Sequence, residues 1–187
     1  MKIKEKLINL FYKTATGGKK KRIVYALFGG TSFLIASLLF IIVPLYLDKL
    51  FQVKHFYFYP INQIISVIFL ISGITLVVWS INHFYRVRGT PVPFNPPPKL
   101  VVAGPFKYTR NPMTTGYFMI MLGTGILFGS LLCVFIFTPL YIFTIVIELK
   151  KIEEPELEKR LGNDYAEYKR KVPMFFPRIF KKGSSSY

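Results

Sequence analysis

The chain is poor in the groups on which most hydrolytic and metal-dependent chemistry relies. Its one cysteine, Cys133, lies inside a long apolar run. No internal disulfide can form, and a thiolate metal site is excluded. It has two histidines, His55 and His83, at opposite ends of another apolar run. They cannot share a site, which counts against a zinc enzyme and against a Ser-His-Asp hydrolase. Acids are also scarce. Nine Asp and Glu face 25 Lys and Arg, and the net charge is +16. Three stretches, 23–47, 61–84 and 113–147, hold no Asp, Glu, Lys or Arg at all. A buried soluble core does not need runs of that length.

What fills those stretches is apolar. Hydrophobic residues make up 52% of the 187, with a mean hydropathy of +0.40. A bilayer core takes roughly 20 apolar residues in a helix, so 23–47 and 61–84 each read as one span. The third run, at about 1.5 Å per residue, would reach roughly 50 Å. It contains Phe-Gly-Ser at 128–130 and reads as a tight helical hairpin. The expected fold is therefore all-α and integral to the membrane, with about four transmembrane helices. The first hairpin arm, 113–128, is short for a full crossing. The first apolar run begins after residue 22 and is too long for a signal peptide.

The placement of the charge gives an orientation. Lys2, Lys4, Lys6, Lys13, Lys19, Lys20, Lys21 and Arg22 precede the first span. Arg86, Arg88, Lys99, Lys107 and Arg110 follow the second, and the tail is basic as well. The loop between spans one and two carries only Asp48, Lys49 and Lys54. By the positive-inside rule both termini and the 85–112 loop face the cytoplasm. Anionic lipid headgroups then account for the basic surface better than nucleic acid does, since no basic helix stands apart from the membrane flanks.

Four regions follow: a basic N-terminal segment over 1–22, two spans over 23–84, a core over 85–178 and a tail over 179–187. In the first, Ile3, Leu7, Leu10 and Phe11 recur at helical spacing, which predicts an interfacial amphipathic helix that Thr16-Gly17-Gly18 ends. Trp79 and Tyr85 at one end of the second span, and Tyr57 and Tyr59 at the other, suit interfacial aromatic belts. Seven of the thirteen prolines fall in 91–112, so no helix runs through that loop, and it is stiff. Residues 99–104 fit a short extended piece before the Gly104-Pro105 turn. Further on, Pro155 predicts that the fourth helix ends or kinks at Glu154 and that another starts there. Gly162 should stop that second helix. Asp164 with Glu167 resembles a capping box for a last short one. Pro173 and Pro177 close the fold, and the final 183–187 has the composition of a disordered end.

The acids are the sharpest clue. Glu148, Glu153, Glu154, Glu156, Glu158, Asp164 and Glu167 are seven of the nine, and Glu148 falls at the membrane edge. An ionisable group at that depth is costly and marks a functional candidate. A plainer reading makes 153–167 a solvated helix with ion pairs such as Glu156–Arg160. Against these acids stands "GPFKYTRNPM", 104–113, which offers Lys107, Arg110 and Asn111 on rigid backbone. The two pieces abut opposite ends of one hairpin, so the hairpin should bring them together. Cations on one wall and carboxylates on the other suit a zwitterion such as an amino acid head group.

"GPFKYTRNPM", an apolar hairpin, and then "EEPELEKRLGNDYAEYKRKVPMFFP" resemble the isoprenylcysteine carboxyl methyltransferase and phospholipid methyltransferase superfamily of integral membrane proteins. The likeness covers roughly 85–178. It implies S-adenosylmethionine as cofactor, held by Tyr108, Arg110, Asn111 and Pro112 with Glu153 and Glu154. Gly123 and Gly125 are the counterpart of a Gly-x-Gly in phospholipid methyltransferases, or are glycines of close helix packing. Asn111 stands where the family has His, and Thr114 where it has Tyr. Asn keeps the hydrogen bonding but cannot carry charge. The resemblance implies methyl transfer to a membrane lipid or isoprenoid, either a carboxylate, which needs no base, or an amine, which must first lose a proton. Glu148 and His83 are the candidate bases, and Arg110 is an alternative holder of an acceptor carboxylate or phosphate. A sterol-reductase-like enzyme using NADPH and a non-catalytic anionic-lipid binder are the rival readings. No metal is expected.

Overall fold

The computed structural model describes residues 3–86 and 99–176, and among these helix is the only regular secondary structure. The proline run over 91–98, Arg88, Pro177 and the tail over 179–187 lie outside the described residues. Helix α1 (Ile3–Ala15) is the expected amphipathic segment, and it ends at Gly17, whose N–H bonds Thr14 O at 3.1 Å. Helix α2 (Lys19–Leu50) carries the first apolar run and continues through Pro44. Helix α3 (Ile61–Arg86) carries the second. Most of the large apolar side chains on α2 and α3, Leu27, Phe28, Ile35, Ile68 and Ile71 among them, are exposed, as a surface solvated by lipid requires. After α3, residues 99–103 run without a partner strand into a short 3-10 turn at Gly104–Lys107.

The third run is the predicted hairpin. Helix α4 (Pro112–Leu127) ascends, Gly129 at φ +62 makes the turn, and one helical rod returns over Cys133–Leu161. The turn is tied down by Phe56 N–H to Gly129 O at 3.1 Å, and by the Ser130 hydroxyl, which donates to buried Asp48. Among the described residues three helices are long and apolar enough to cross a membrane: Lys19–Leu50, Ile61–Arg86 and Cys133–Leu161. Helix α4, with 16 residues, reaches only about 24 Å against a hydrocarbon core of roughly 30 Å. The count by length is thus three where about four were expected.

Backbone contact sets how close α3 and α4 come. A Cβ on Gly73 would lie 2.7 Å from Gly116 O, and one on Gly116 would lie 2.7 Å from Gly73 O. Gly123 continues this seam: its added Cβ would meet Phe69 Cβ at 3.0 Å and Leu70 N at 3.2 Å. Gly125 faces the returning rod: a Cβ added there would lie 2.8 Å from Val134 Cγ2 and 3.1 Å from Cys133 Sγ. Small residues let membrane helices approach where no hydrophobic effect drives them together.

Two expectations about the C-terminal part need adjusting. Of the end or kink expected at Glu154, the rod shows no end, while α6 (Glu154–Leu161) does start at Glu154 with Pro155 in its first turn, as expected. The rod winds more widely over Cys133–Phe137 and again over Leu149–Glu153, with i→i+5 bonds, before continuing as α5 (Thr138–Glu148) and α6 respectively. Each wide turn ends two residues before a proline: Phe137 before Pro139, and Glu153 before Pro155. A proline has no N–H to give and its ring crowds the carbonyl four residues back. One extra residue in the turn relieves that crowding without breaking the helix. The second correction concerns the cap. Gly162, at φ +59, ends α6 as expected, but it is also the N-cap of α7 (Asn163–Lys171). Asp164 therefore sits inside the first turn and caps nothing, while Glu167 pairs with Lys171 at 2.6 Å.

Candidate active site

The basic loop and the acidic helix do meet. Arg110 is the hub. Its Nη2 donates to Glu154 Oε1 at 2.6 Å, and its Nη1 donates to Val172 O at 2.6 Å and Lys169 O at 3.0 Å. Both side chains of the ion pair are close to nine-tenths buried or more, at 10% and 6% exposure. Lys169 reaches the other oxygen of Glu154 at 2.8 Å and Glu158 at 2.9 Å. Those hydrogen bonds raise the lysine above its ordinary pKa. The backbone completes a clamp: Arg110 N–H bonds Pro173 O at 2.9 Å, Asn111 N–H bonds Met174 O at 3.2 Å, and the Thr109 hydroxyl bonds Met174 O at 2.8 Å. On the far side of α7 the Tyr168 hydroxyl donates to Phe106 O at 2.7 Å. Burial pushes the phenols of Tyr165 and Tyr168 up.

Behind this clamp lies a cavity of about 320 Å³, which is the size of a small-molecule site. Arg110, Asn111, Pro112, Met113 and Thr114 form one wall, and Ile145, Glu148, Leu149 and Glu153 form another. The wide turn decides which acids face it. At about 100° per residue, positions five apart in an α-helix diverge by roughly 140°. The i→i+5 winding over Leu149–Glu153 brings Glu148 and Glu153 back to one face. Neither carboxylate makes an ion pair or hydrogen bond among the described residues, whereas Glu154 and Glu156 are both paired. On the opposite wall Arg110 Nε is buried without a hydrogen-bond partner.

The sequence-predicted residues divide accordingly. Arg110, Asn111, Pro112, Glu148 and Glu153 line the cavity. Glu154 stands behind Arg110 and belongs to the clamp. Tyr108 and Lys107 are exposed and do not line it. Gly123 and Gly125 lie in the helix seams described above. His83 does not line the cavity either: its Nδ1 lies 2.9 Å from Trp79 O, and its ring fills the space over Gly104, where a Cβ would come within 2.2 Å of Nε2. The 3-10 turn needs Gly104 at φ +60, and that turn packs the imidazole against backbone. The expected pair Glu156–Arg160 forms at 2.8 Å, but Glu156 is 2% exposed, so this is not a solvated face. Sequence reasoning missed Phe11, Gly29, Gly30, Phe33, Phe84 and Phe106, the aromatic and glycine surfaces that close the cavity. The adjacent glycines inside the first span were the available signal.

Residues 61–164 match the phospholipid methyltransferase family, and the chain belongs to it. Over 80 residues, 43% of this chain, the sequence is 32% identical to the Protein-S-isoprenylcysteine O-methyltransferase of Schizosaccharomyces pombe. That alignment spans 34% of the relative's own length. No solved structure matches the chain. With three helices able to cross a bilayer, the chain is an integral membrane protein of that family.

Proposed function

We propose that this protein transfers a methyl group from S-adenosylmethionine to a lipid-like acceptor in the cavity between Arg110 and Glu153. The observation that carries the reading is one cavity lined by Glu148 and Glu153, which make no ion pair or hydrogen bond among the described residues, and by Arg110, whose buried Nε has no hydrogen-bond partner. That donor set fits a cofactor with a carboxylate at one end and two cationic groups. Arg110 Nε and Asn111 would take the carboxylate. Glu153 would take a cation, and the sulfonium supplies an already activated methyl group when the cofactor is bound. What remains for the chain is positioning and exclusion of water, to which Phe11, Phe33, Phe84 and Phe106 contribute.

One specific observation favours an amine over a carboxylate as acceptor. Among the described residues Arg110 is the cavity's lining cation, and its guanidinium is largely taken up by Glu154 and two carbonyls. A carboxylate acceptor would face two acids, whereas an ammonium would be drawn to them, and Glu148 can accept its proton. The concentration of lysines before α2 and of basic residues after α3 supports a cytoplasmic site.

The test uses membranes holding the protein, methyl-labelled S-adenosylmethionine and extracted lipid. We expect labelled lipid whose label survives mild base, as an N-methyl group does. Label released as volatile methanol identifies an ester and overturns the amine assignment. Labelling no greater than in membranes without the protein overturns the methyltransferase reading.

A further inference from the structure

We propose that α1 is a sensor of anionic lipid: its docking on a negatively charged membrane surface holds Phe11 in the wall of the cavity. The inference deepens the methyltransferase reading by naming a regulator of the same site. It starts from where α1 lies. The family match begins at residue 61, so α1 is outside the matched region, yet its Phe11 lines the cavity together with Glu148 and Glu153. The helix is joined to α2 through Gly17 and Gly18, and an added side chain on Gly18 would meet nothing within 4 Å. Gly17 is instead closed against α1, where an added Cβ would lie 2.9 Å from Lys13 O, so the open position of the junction is Gly18.

Inside the protein α1 packs with Leu7, Ile8, Phe11 and Tyr12 half-buried. Its inner face buries Thr14 and Ala15. Its polar ties to α6 run through one exposed lysine: Lys159 Nζ donates to Asn9 Oδ1 at 2.7 Å and lies 4.5 Å from the centre of the Tyr12 ring. Exposed polar ties of this kind supply little holding energy.

The outer face has a different character. At about 100° per residue, Lys6, Leu10 and Lys13 fall within roughly 60° of one another, and all three are exposed. An exposed leucine flanked by lysines is the pattern of a helix that rests in a headgroup layer. Lys19, Lys20 and Lys21 extend the same charge to the start of α2, where the apolar span begins. Glu5 is the single acid of α1. Charge complementarity therefore selects an anionic lipid surface as the occupant. Each engaged lysine is worth roughly a factor of five in binding.

The experiment reads the position of residue 11 directly. The full chain is reconstituted as Phe11→Cys in a Cys133→Ala background, with Thr16→Cys as an exposed control. Vesicles are either pure phosphatidylcholine or phosphatidylcholine mixed with phosphatidylserine. A neutral water-soluble maleimide reports accessibility. We expect the cysteine at position 11 to react at least roughly fivefold more slowly on the anionic vesicles, while the control is unaffected. Adding Lys6→Gln and Lys13→Gln should remove most of that protection. Equal rates in the two vesicles, or undiminished protection in the quadruple variant, overturn the proposal. The unsubstituted chain should also bind S-adenosylhomocysteine more tightly on the anionic vesicles. If it binds in neither, the cofactor reading fails, and the alkylation rates still decide the fate of the α1 proposal.

Discussion

Glu153 and Glu154 are adjacent in sequence, and the structure gives them opposite work. Replacing each with Gln should therefore separate stability from binding. Glu154→Gln removes a charge from a pair with Arg110 in which both partners are at least about nine-tenths buried, with Nη2 to Oε1 at 2.6 Å. Breaking such a pair by removing one partner costs about 3–5 kcal/mol, because the remaining charge stays buried. The amide oxygen retains part of the hydrogen bond, so the lower end, about 3 kcal/mol, is expected. The contact with Lys169, whose side chain is 36% exposed, adds little to that. Glu153→Gln should behave differently. Its carboxylate has no ion-pair partner among the described residues, so its loss should leave the melting temperature unchanged or raise it. It should instead weaken S-adenosylhomocysteine by the worth of a charged hydrogen bond, about 1.5–3 kcal/mol, or roughly 10- to 150-fold. The assay is thermal unfolding of the purified protein in detergent with and without that ligand, followed by titration. The reasoning is refuted if Glu154→Gln unfolds at the parent temperature, or if Glu153→Gln binds like the parent.

Two further perturbations test the frame around the site. Gly116→Val should lower the melting temperature by an amount equivalent to about 1–3 kcal/mol of overpacking, because its Cβ would meet Gly73 O and Val77 Cγ2, each at 2.7 Å. Gly18→Ala, placed in open space at φ −62, should have no such effect; equal losses from the two would deny the close approach of α3 and α4. The clamp around α7 should be sensitive to alkali. Tyr168, Tyr165 and Lys169 all have folded pKa values above their ordinary 10.0 and 10.5. Their contribution is thus fully present below about pH 10 and is lost as pH rises through the raised values. Tyr168→Phe should cost about 1 kcal/mol at neutral pH by deleting the bond to Phe106 O and should flatten the alkaline fall in melting temperature. An unchanged alkaline slope would count against the assignment.

How much of this was legible in the sequence depended on whether the signal was local. Apolar runs are local, so α2, α3 and the hairpin could be read from length and charge alone, and Gly129 and Gly162 announced their turns. The meeting of Arg110 with Glu154 followed from topology, since both flank one hairpin. Cavity walls are not local. Phe11 and Gly29-Gly30 join the site only through the packing of α1 and α2 against α6 and the hairpin, and no spacing in the sequence encodes that. His83 looked available as a base because the sequence does not say that Gly104 turns the backbone beneath its ring.

The placement of the glutamates depends on the pitch of the helix that carries them. At a regular pitch of about 3.6 residues per turn Glu148 and Glu153 would face different ways, and Pro155 would end or kink the helix at Glu154. Both conclusions assume that the helix keeps its pitch. A proline within a long apolar rod can instead be accommodated by one wide turn ahead of it, and this chain does so twice, before Pro139 and before Pro155. The wide turn rotates everything beyond it relative to a regular helix. At Leu149–Glu153 the consequence is chemical: it turns Glu153 into the cavity beside Glu148 and leaves Glu154 behind, against Arg110. Pro155 is thus a positioning residue for the acid pair. Replacing it with Ala would restore the missing N–H and remove the reason for the wide turn. If the turn then closes to regular pitch, Glu153 swings out of the cavity, with a loss of ligand affinity comparable to that of Glu153→Gln. A Pro155→Ala protein that binds S-adenosylhomocysteine at parental strength would show that the surrounding packing, and not the proline, holds the turn open.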